Sequence, residues 1–172
     1  MKFVLTIIFS VFLFTKASEA NDGEKVNEFE NSVAFQVGAN GTAHDGDFEF
    51  AFFPIDVAYS RELYDNDLIN VSTSSFYDYI DTDVEGMNFE YRLGQKVEVG
   101  FEIGKYTPYV TAGFATMKRA YDHQTTPVYG SGILYRMSKR LLFVNELNFQ
   151  PIKHQDDHYE VVNFTTGVAY IF

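Results

Sequence analysis

The chain has no cysteine and no tryptophan in 172 residues. Without cysteine there is no disulfide framework, no thiolate zinc site, no iron–sulfur cluster and no cysteine nucleophile. Without tryptophan, sequence motifs built on that ring are excluded. Basic residues are also scarce: 13 Lys and Arg stand against 24 Asp and Glu, for a net charge of −11. Contacts to a phosphate backbone need clustered Lys and Arg, so no nucleic-acid partner is expected. What the chain has in quantity is aromatic surface, with 18 Phe and 12 Tyr. Acidic chains that stay disordered lack such residues, so this one is expected to fold, as one domain with ample core.

Long apolar runs are nearly absent too. The exception is residues 3–14, FVLTIIFSVFLF, preceded by the positive start Met1-Lys2. Ser18-Glu19-Ala20 then places small residues at the −3 and −1 positions of a cut after Ala20. This is the layout of a secretory signal peptide, so residues 1–20 are expected to be removed on export. The run would make a helix of roughly 18 Å, too short for a hydrocarbon core of ~30 Å, which argues against an anchor. Losing Lys2, Lys16 and Glu19 removes two positive charges and one negative, and turns −11 into −12. No later window approaches the ~18 consecutive apolar residues of a spanning helix. In a membrane, the mature chain can only be a closed barrel.

Residues 21–30 are polar and acidic and read as a flexible lead-in to a domain over 31–172. From there the dominant period is two. Val33, Phe35, Val37 and Ala39 share one face of the first segment. Over 87–103 every large apolar residue is odd-numbered, and Glu90, Arg92, Lys96, Glu98 and Glu102 occupy even positions. In the last segment Val162, Phe164, Thr166, Val168, Tyr170 and Phe172 alternate with smaller or polar residues. Strict alternation signals half-buried strands, and no comparable helical period occurs.

Breakers divide the chain into eight strand candidates, at 31–42, 48–62, 68–80, 87–103, 107–118, 127–137, 141–150 and 161–172. The second has a fault at Pro54, with Phe48, Phe50 and Phe52 even and Ile55, Val57 and Tyr59 odd. A bulge at Phe53-Pro54 would restore the facing, and bulges tolerate proline. The fourth contains Gly94-Gln95-Lys96, so an alternative makes it a hairpin with Leu93 opposite Val97, and the sheet ten-stranded. Another hairpin can be read pair by pair. A turn at Ser138-Lys139-Arg140 sets Met137 opposite Leu141, Tyr135 opposite Phe143 and Ile133 opposite Asn145. Leu134, Leu142 and Val144 then fall on its otherwise polar face.

The choice of inner face separates a secreted soluble barrel from a membrane barrel. Glycines recur on the polar face (Gly38, Gly100, Gly130, Gly132, Gly167), where a water-facing strand has no need of them. A crowded polar interior does, and it would enclose the charges Glu90, Arg92, Glu98, Glu102, Arg136 and Glu146. Over the second half the joints fit this reading, long on one side and short on the other, while over the first half the two sizes converge. Those at 151–160, 119–126, 81–86 and 43–47 are expected as outer loops, and 138–140, 104–106 and 63–67 as inner turns.

Four segments resemble strands of small bacterial outer-membrane barrels. Tyr106-Thr107-Pro108-Tyr109-Val110-Thr111-Ala112-Gly113-Phe114 resembles their "tPYvtaG" strand, and Tyr129-Gly130-Ser131-Gly132-Ile133-Leu134-Tyr135-Arg136 their "yGaGleYr" strand. Asn145-Glu146-Leu147-Asn148-Phe149 and Gly167-Val168-Ala169-Tyr170-Ile171-Phe172 resemble "xEyxy" and the closing "GvgYrF". The chain is thereby similar to the OmpX/Ail families and related OmpA-type barrels, well over 105–172 and in pattern alone over 31–104. The resemblance implies an all-β fold, an eight-stranded antiparallel up-and-down transmembrane β-barrel in the bacterial outer membrane. It implies surroundings of outer-membrane lipid and lipopolysaccharide, and a monomer. It also implies that Val168, Tyr170 and Phe172 are read by the barrel-assembly machinery as an insertion signal. The chain departs from the family at Ile171, where Arg is usual, and in lacking Trp, so Tyr and Phe must form the interfacial girdles.

Chemistry is sparse. All four histidines, His44, His123, His154 and His158, fall in the expected outer loops. The tight cluster His154, Asp156, Asp157 and His158 could hold a divalent cation or haem, but the spacing is also that of an ordinary polar loop. The lipid-A deacylase type of barrel needs a His-x-Ser pair, and neither His154-Gln155-Asp156 nor His158-Tyr159-Glu160 supplies it. No G-x-S-x-G elbow exists. An eight-stranded barrel is filled by side chains, which excludes a wide pore. The expectation is a non-enzymatic anchoring barrel without cofactor, whose acidic loops meet a host or extracellular ligand or support envelope integrity. The alternatives are a lipid-modifying enzyme and a secreted soluble binding barrel.

Overall fold

Nine antiparallel strands form one sheet that closes on itself: β1 (Asn31–His44), β2 (Asp47–Ala51), β3 (Ile55–Asp65), β4 (Ile69–Val84), β5 (Met87–Phe101), β6 (Tyr106–Arg119), β7 (Asp122–Arg136), β8 (Leu141–His154) and β9 (Asp157–Ile171). The structure is a computed structural model that describes residues 30–44, 47–51, 54–65, 68–84, 87–119, 122–154 and 157–172. The expected leader and residues 21–29 of the lead-in lie outside the described residues. β1 pairs with β9 on one edge and with β2 and then β3 on the other, so β2 and β3 share one place in an eight-stranded wall.

The break between β2 and β3 is the fault at Pro54. Asn40 pairs with Ala51 and Val37 with Ile55, so two residues of β1 face three across the ladder. That extra residue keeps positions 48 and 50 opposite 43 and 41, and positions 55 and 57 opposite 37 and 35. Parity is restored at a residue that has no N–H to give a ladder. The Pro54 carbonyl instead accepts a bond from the Gly38 N–H at 3.2 Å.

The ten-strand alternative is overturned, because β5 is one strand. Leu93 pairs with Tyr77 and Thr116, and Val97 with Thr73 and Ala112. Gly94 serves packing rather than a turn, since a Cβ there would lie 2.7 Å from Cζ of Phe76. The real turn follows β5, at Gly104 with φ of 64°. The hairpin at Ser138-Lys139-Arg140 has the expected register, with Tyr135 opposite Phe143 and Ile133 opposite Asn145.

The expected outer loops are another correction. Most of 119–126 and 151–160 is ladder, running to Arg119↔Asp122 and His154↔Asp157. These residues lack apolar alternation yet keep their backbone pairing.

Closure can be followed residue by residue. From Asn31 the ladder partners are Arg61, Thr73, Val97, Ala112, Tyr129, Phe149 and Val162, which returns to β1 at Gly41, ten residues from the start. With eight strands this stagger tilts each strand by about 40°. Strands of 14 to 16 residues then reach roughly 35–40 Å along the axis, against an apolar band of ~25 Å in membrane barrels.

The two faces are inverted relative to a soluble barrel. Outside, Phe35, Val57, Leu93, Val97, Val110, Phe114, Ile133, Phe143, Phe164 and Val168 are exposed, and Phe114 is 64% so. Ring pairs flank the aliphatic middle: Tyr106–Tyr135 (4.9 Å) toward the end with the termini, and Tyr77–Tyr91 and Tyr129–Phe149 (both 5.8 Å) toward the other. Inside, the buried residues include Asp56, Asp78, Arg92, Lys96, Glu146, Gln150 and Asn163. So large an apolar exterior around a polar interior suits lipid and not water.

Candidate functional site

Two regions carry the chemistry, the lumen and the rim at the end away from the termini (the far rim). The end that bears the termini opens into a blind cavity of about 100 Å³. Ala34, Ala58, Leu142, Val144, Ala169 and Ile171 give it an apolar side. Leu142 and Val144, out of place on a polar face by sequence, pack there with Leu134.

The cavity ends on an ionic layer. Lys96 of β5 pairs across the lumen with Glu146 of β8 and lies 3.8 Å from Glu98. The Tyr109 hydroxyl donates to Glu146 at 2.6 Å, and the Asn148 amide donates to the same carboxylate. Ser72 donates to Glu98 at 3.1 Å. Tyr109 fits because residue 132 is glycine, where a Cβ would collide with its ring.

Deeper in, Arg92 pairs with its ladder partner Asp78 and donates to Gln150 at 3.3 Å. Gln150 in turn donates to the Ala115 carbonyl (3.1 Å) and to Thr126 (2.9 Å). The Phe76 ring lies between the two cations, 5.2 Å from the Arg92 guanidinium and 5.3 Å from the Lys96 ammonium. Above this, Met117, Ile152, Tyr159 and Val161 form an apolar cluster toward the far rim. The lumen is filled rather than open.

Of the six charges expected inside, Arg92 and Glu146 are buried in this network, with Glu98 beside them. Glu102 and Arg136 line the open mouth, where Arg136 lies 3.6 Å from Glu30. Glu90 is placed differently. The register slips between Phe89 and Tyr91, and Glu90, the extra residue, pairs with Lys118, whose ammonium lies over the Tyr91 ring (5.7 Å) at the far rim. Sequence parity missed the roles of Lys96, Asp78, Asp56, Tyr109 and Gln150. Lys96 was visible on the even face of its segment, but its partners were not.

Val168, Tyr170 and Phe172 are exposed on the outer face beside the termini. Arg140 donates to the Tyr170 hydroxyl at 3.2 Å, and the Phe172 N–H bonds the Asn31 carbonyl at 2.9 Å. The four histidines all lie at the far rim. His154 pairs with Asp157 and His158 with Lys153, while Asp156 lies outside the described residues. No group of three His, Cys, Asp or Glu side chains placed to hold a metal ion occurs among the described residues.

At the far rim the barrel splits. The β7–β8 ladder stops at Tyr129↔Phe149, although β7 continues against β6 and β8 against β9. The β3–β4 ladder stops at Ile55↔Tyr79, and β2 has β1 as its one ladder neighbour among the described residues. Two four-stranded leaves result, β8-β9-β1-β2 and β4-β5-β6-β7. Side chains stitch one seam, where the Lys153 N–H donates to the Gln124 side chain at 3.3 Å.

No protein-family model and no curated protein matches the sequence. Solved structures match the fold. Neisserial surface protein A aligns at a TM-score of 0.55 and 14% identity, over 83% of this chain and 97% of that one. Ail, the attachment invasion locus protein of Yersinia pestis, aligns at 0.55 and 17%, over 84% and 99%. Ail in a phospholipid bilayer nanodisc aligns at 0.55 and 16%, over 84% and 100%. At these identities the likeness is one of fold, the closed eight-stranded barrel of the OmpX/Ail type.

Proposed function

We propose that this chain is an outer-membrane anchoring barrel that uses its two far-rim leaves for contact with a basic partner outside the cell. The split rim carries the reading. Strands run past the apolar belt, and among the described residues the β7–β8 and β3–β4 ladders stop short of the strand ends, a break of the kind at which a sheet can take in an extended segment. Among the described residues, the rim stretches of 44–49, 81–90, 118–123 and 153–160 hold eight Asp and Glu against three Lys and Arg, so the complementary chemistry is cationic. The filled lumen argues against a diffusion pore. On this reading lipid and lipopolysaccharide surround the belt, and the assembly machinery reads Val168, Tyr170 and Phe172.

Fractionation with boiled and unboiled gel samples tests the first half, and a soluble protein without a heat-shifted band would refute it. Adhesion of expressing cells to a basic polypeptide surface tests the second. Neutralising the rim with Asp122→Asn, Asp157→Asn and Glu160→Gln is expected to reduce adhesion and its salt sensitivity. Unchanged adhesion refutes the contact role.

A further inference from the structure

The lumen between the Lys96–Glu146 layer and the apolar cluster holds more acceptor oxygen than the chain satisfies. Gln36, Asp56 and Asp78 are successive ladder partners on the inner face of β1, β3 and β4. All three are at least nine-tenths buried. Each has an oxygen without a hydrogen-bond partner: Oε1 of Gln36 and Oδ1 of both aspartates. On neighbouring strands such side chains stand about 5 Å apart, close enough to share one ligand. Asn40 and its ladder partner Asn163, four residues further along β1, and Thr165 beside Gly38 also hold unpartnered buried polar atoms.

Charge is unbalanced at the same place. Arg92 answers Asp78 through its other oxygen, and Lys96 answers Glu146. Asp56 has no ion-pair partner among the described residues. Water can fill empty hydrogen bonds, but it brings no countercharge to a buried carboxylate. We propose that the lumen holds a hard, oxygen-preferring cation, with Asp56 and Asp78 as its charged ligands and Gln36 as a neutral one. An all-oxygen donor set suits calcium, magnesium or sodium and not a soft metal. The cavity at the open end passes Glu98 and Glu146 and reaches Gln36, the one of the three that lines it. The competing occupant is a proton shared by the two aspartates, which are ladder partners on β3 and β4.

The test uses barrel refolded in detergent, stripped with chelator and checked for the heat-shifted band. Equilibrium dialysis against radioactive calcium measures binding, and thermal unfolding is read in calcium chloride and in sodium chloride of equal ionic strength. Wild type is expected to bind one calcium per barrel and to gain thermal stability from it. Asp56→Asn should bind at least tenfold more weakly and melt at one temperature with or without calcium. Because it also removes a buried charge, it should fold without the ion. Asp65→Asn, at the exposed end of β3, should behave as wild type. Equal stabilisation by sodium, lost in Asp56→Asn, supports the same site with a monovalent occupant. Calcium binding and melting that Asp56→Asn leaves unchanged, or a wild type that responds to pH and to neither salt, overturns the proposal.

Discussion

The ionic layer predicts an asymmetry between the two halves of one ion pair. Lys96 and Glu146 are 4% and 3% exposed, so neither charge can turn to water. Lys96 has a second carboxylate, Glu98, at 3.8 Å. Among the described residues Glu146 has no second cation, only the Tyr109 hydroxyl and the Asn148 amide. Replacing Lys96 by Met therefore strands two carboxylates in one buried layer. Loss of one partner from a buried pair costs about 3–5 kcal/mol. Replacing Glu146 by Gln leaves Lys96 beside Glu98, and at 3.8 Å and an effective dielectric of 20 that attraction is worth about 4 kcal/mol before desolvation. The net cost of Glu146→Gln should then fall to about 1–3 kcal/mol, that of perturbed buried hydrogen bonds. Urea unfolding of the refolded barrel in detergent or lipid vesicles measures both, by loss of the fast-migrating gel band. In the Lys96→Met background, Glu146→Gln should recover part of the loss, because it removes one of two uncompensated charges. A Glu146→Gln variant as unstable as Lys96→Met would refute the idea that Glu98 shares the cation.

The inverted faces make Val110 a sharp discriminator, since it is 60% exposed and midway between Tyr106 and Phe114 on β6. Val110→Lys should destabilise a lipid-embedded barrel by about 2–4 kcal/mol in vesicle unfolding, and a near-neutral result would refute a lipid-facing β6. Phe172→Ala should lower the fraction of heat-shifted barrel assembled in cells while sparing refolding into detergent in vitro. Equal losses in both assays would assign Phe172 to barrel stability rather than to recognition during assembly.

Much of the wall was legible because lipid and lumen impose opposite demands on successive residues. Val33, Phe35 and Val37 alternate for that reason, and so do Val168, Tyr170 and Phe172. The Pro54 fault was readable because parity can be counted and proline donates no ladder bond. The strand ends were not. Above the aromatic girdle both faces of a strand can meet water, so Gln124-Thr125-Thr126 keeps its ladder and loses its alternation. Residues expected as loops are strand for that reason. Glu90 escaped the parity rule because it is itself the inserted residue of a bulge.

The contacts across the lumen are of another kind. Lys96 meets Glu146, and Arg92 meets Gln150, from β5 to β8, strands that share no ladder. Alternation says that each of these side chains points inward, but not at what height. Height follows from the ten-residue stagger accumulated around the whole wall, and every bulge contributes to it. Asp56 shows the consequence. In a segment whose first half puts its aromatics on even positions, residue 56 counts as outward-facing until the Pro54 bulge is inserted. After it, 56 faces inward between Gln36 and Asp78. One unpaired residue in the sheet therefore carries a carboxylate from the lipid face to the lumen, and creates the charge imbalance on which the cation site rests.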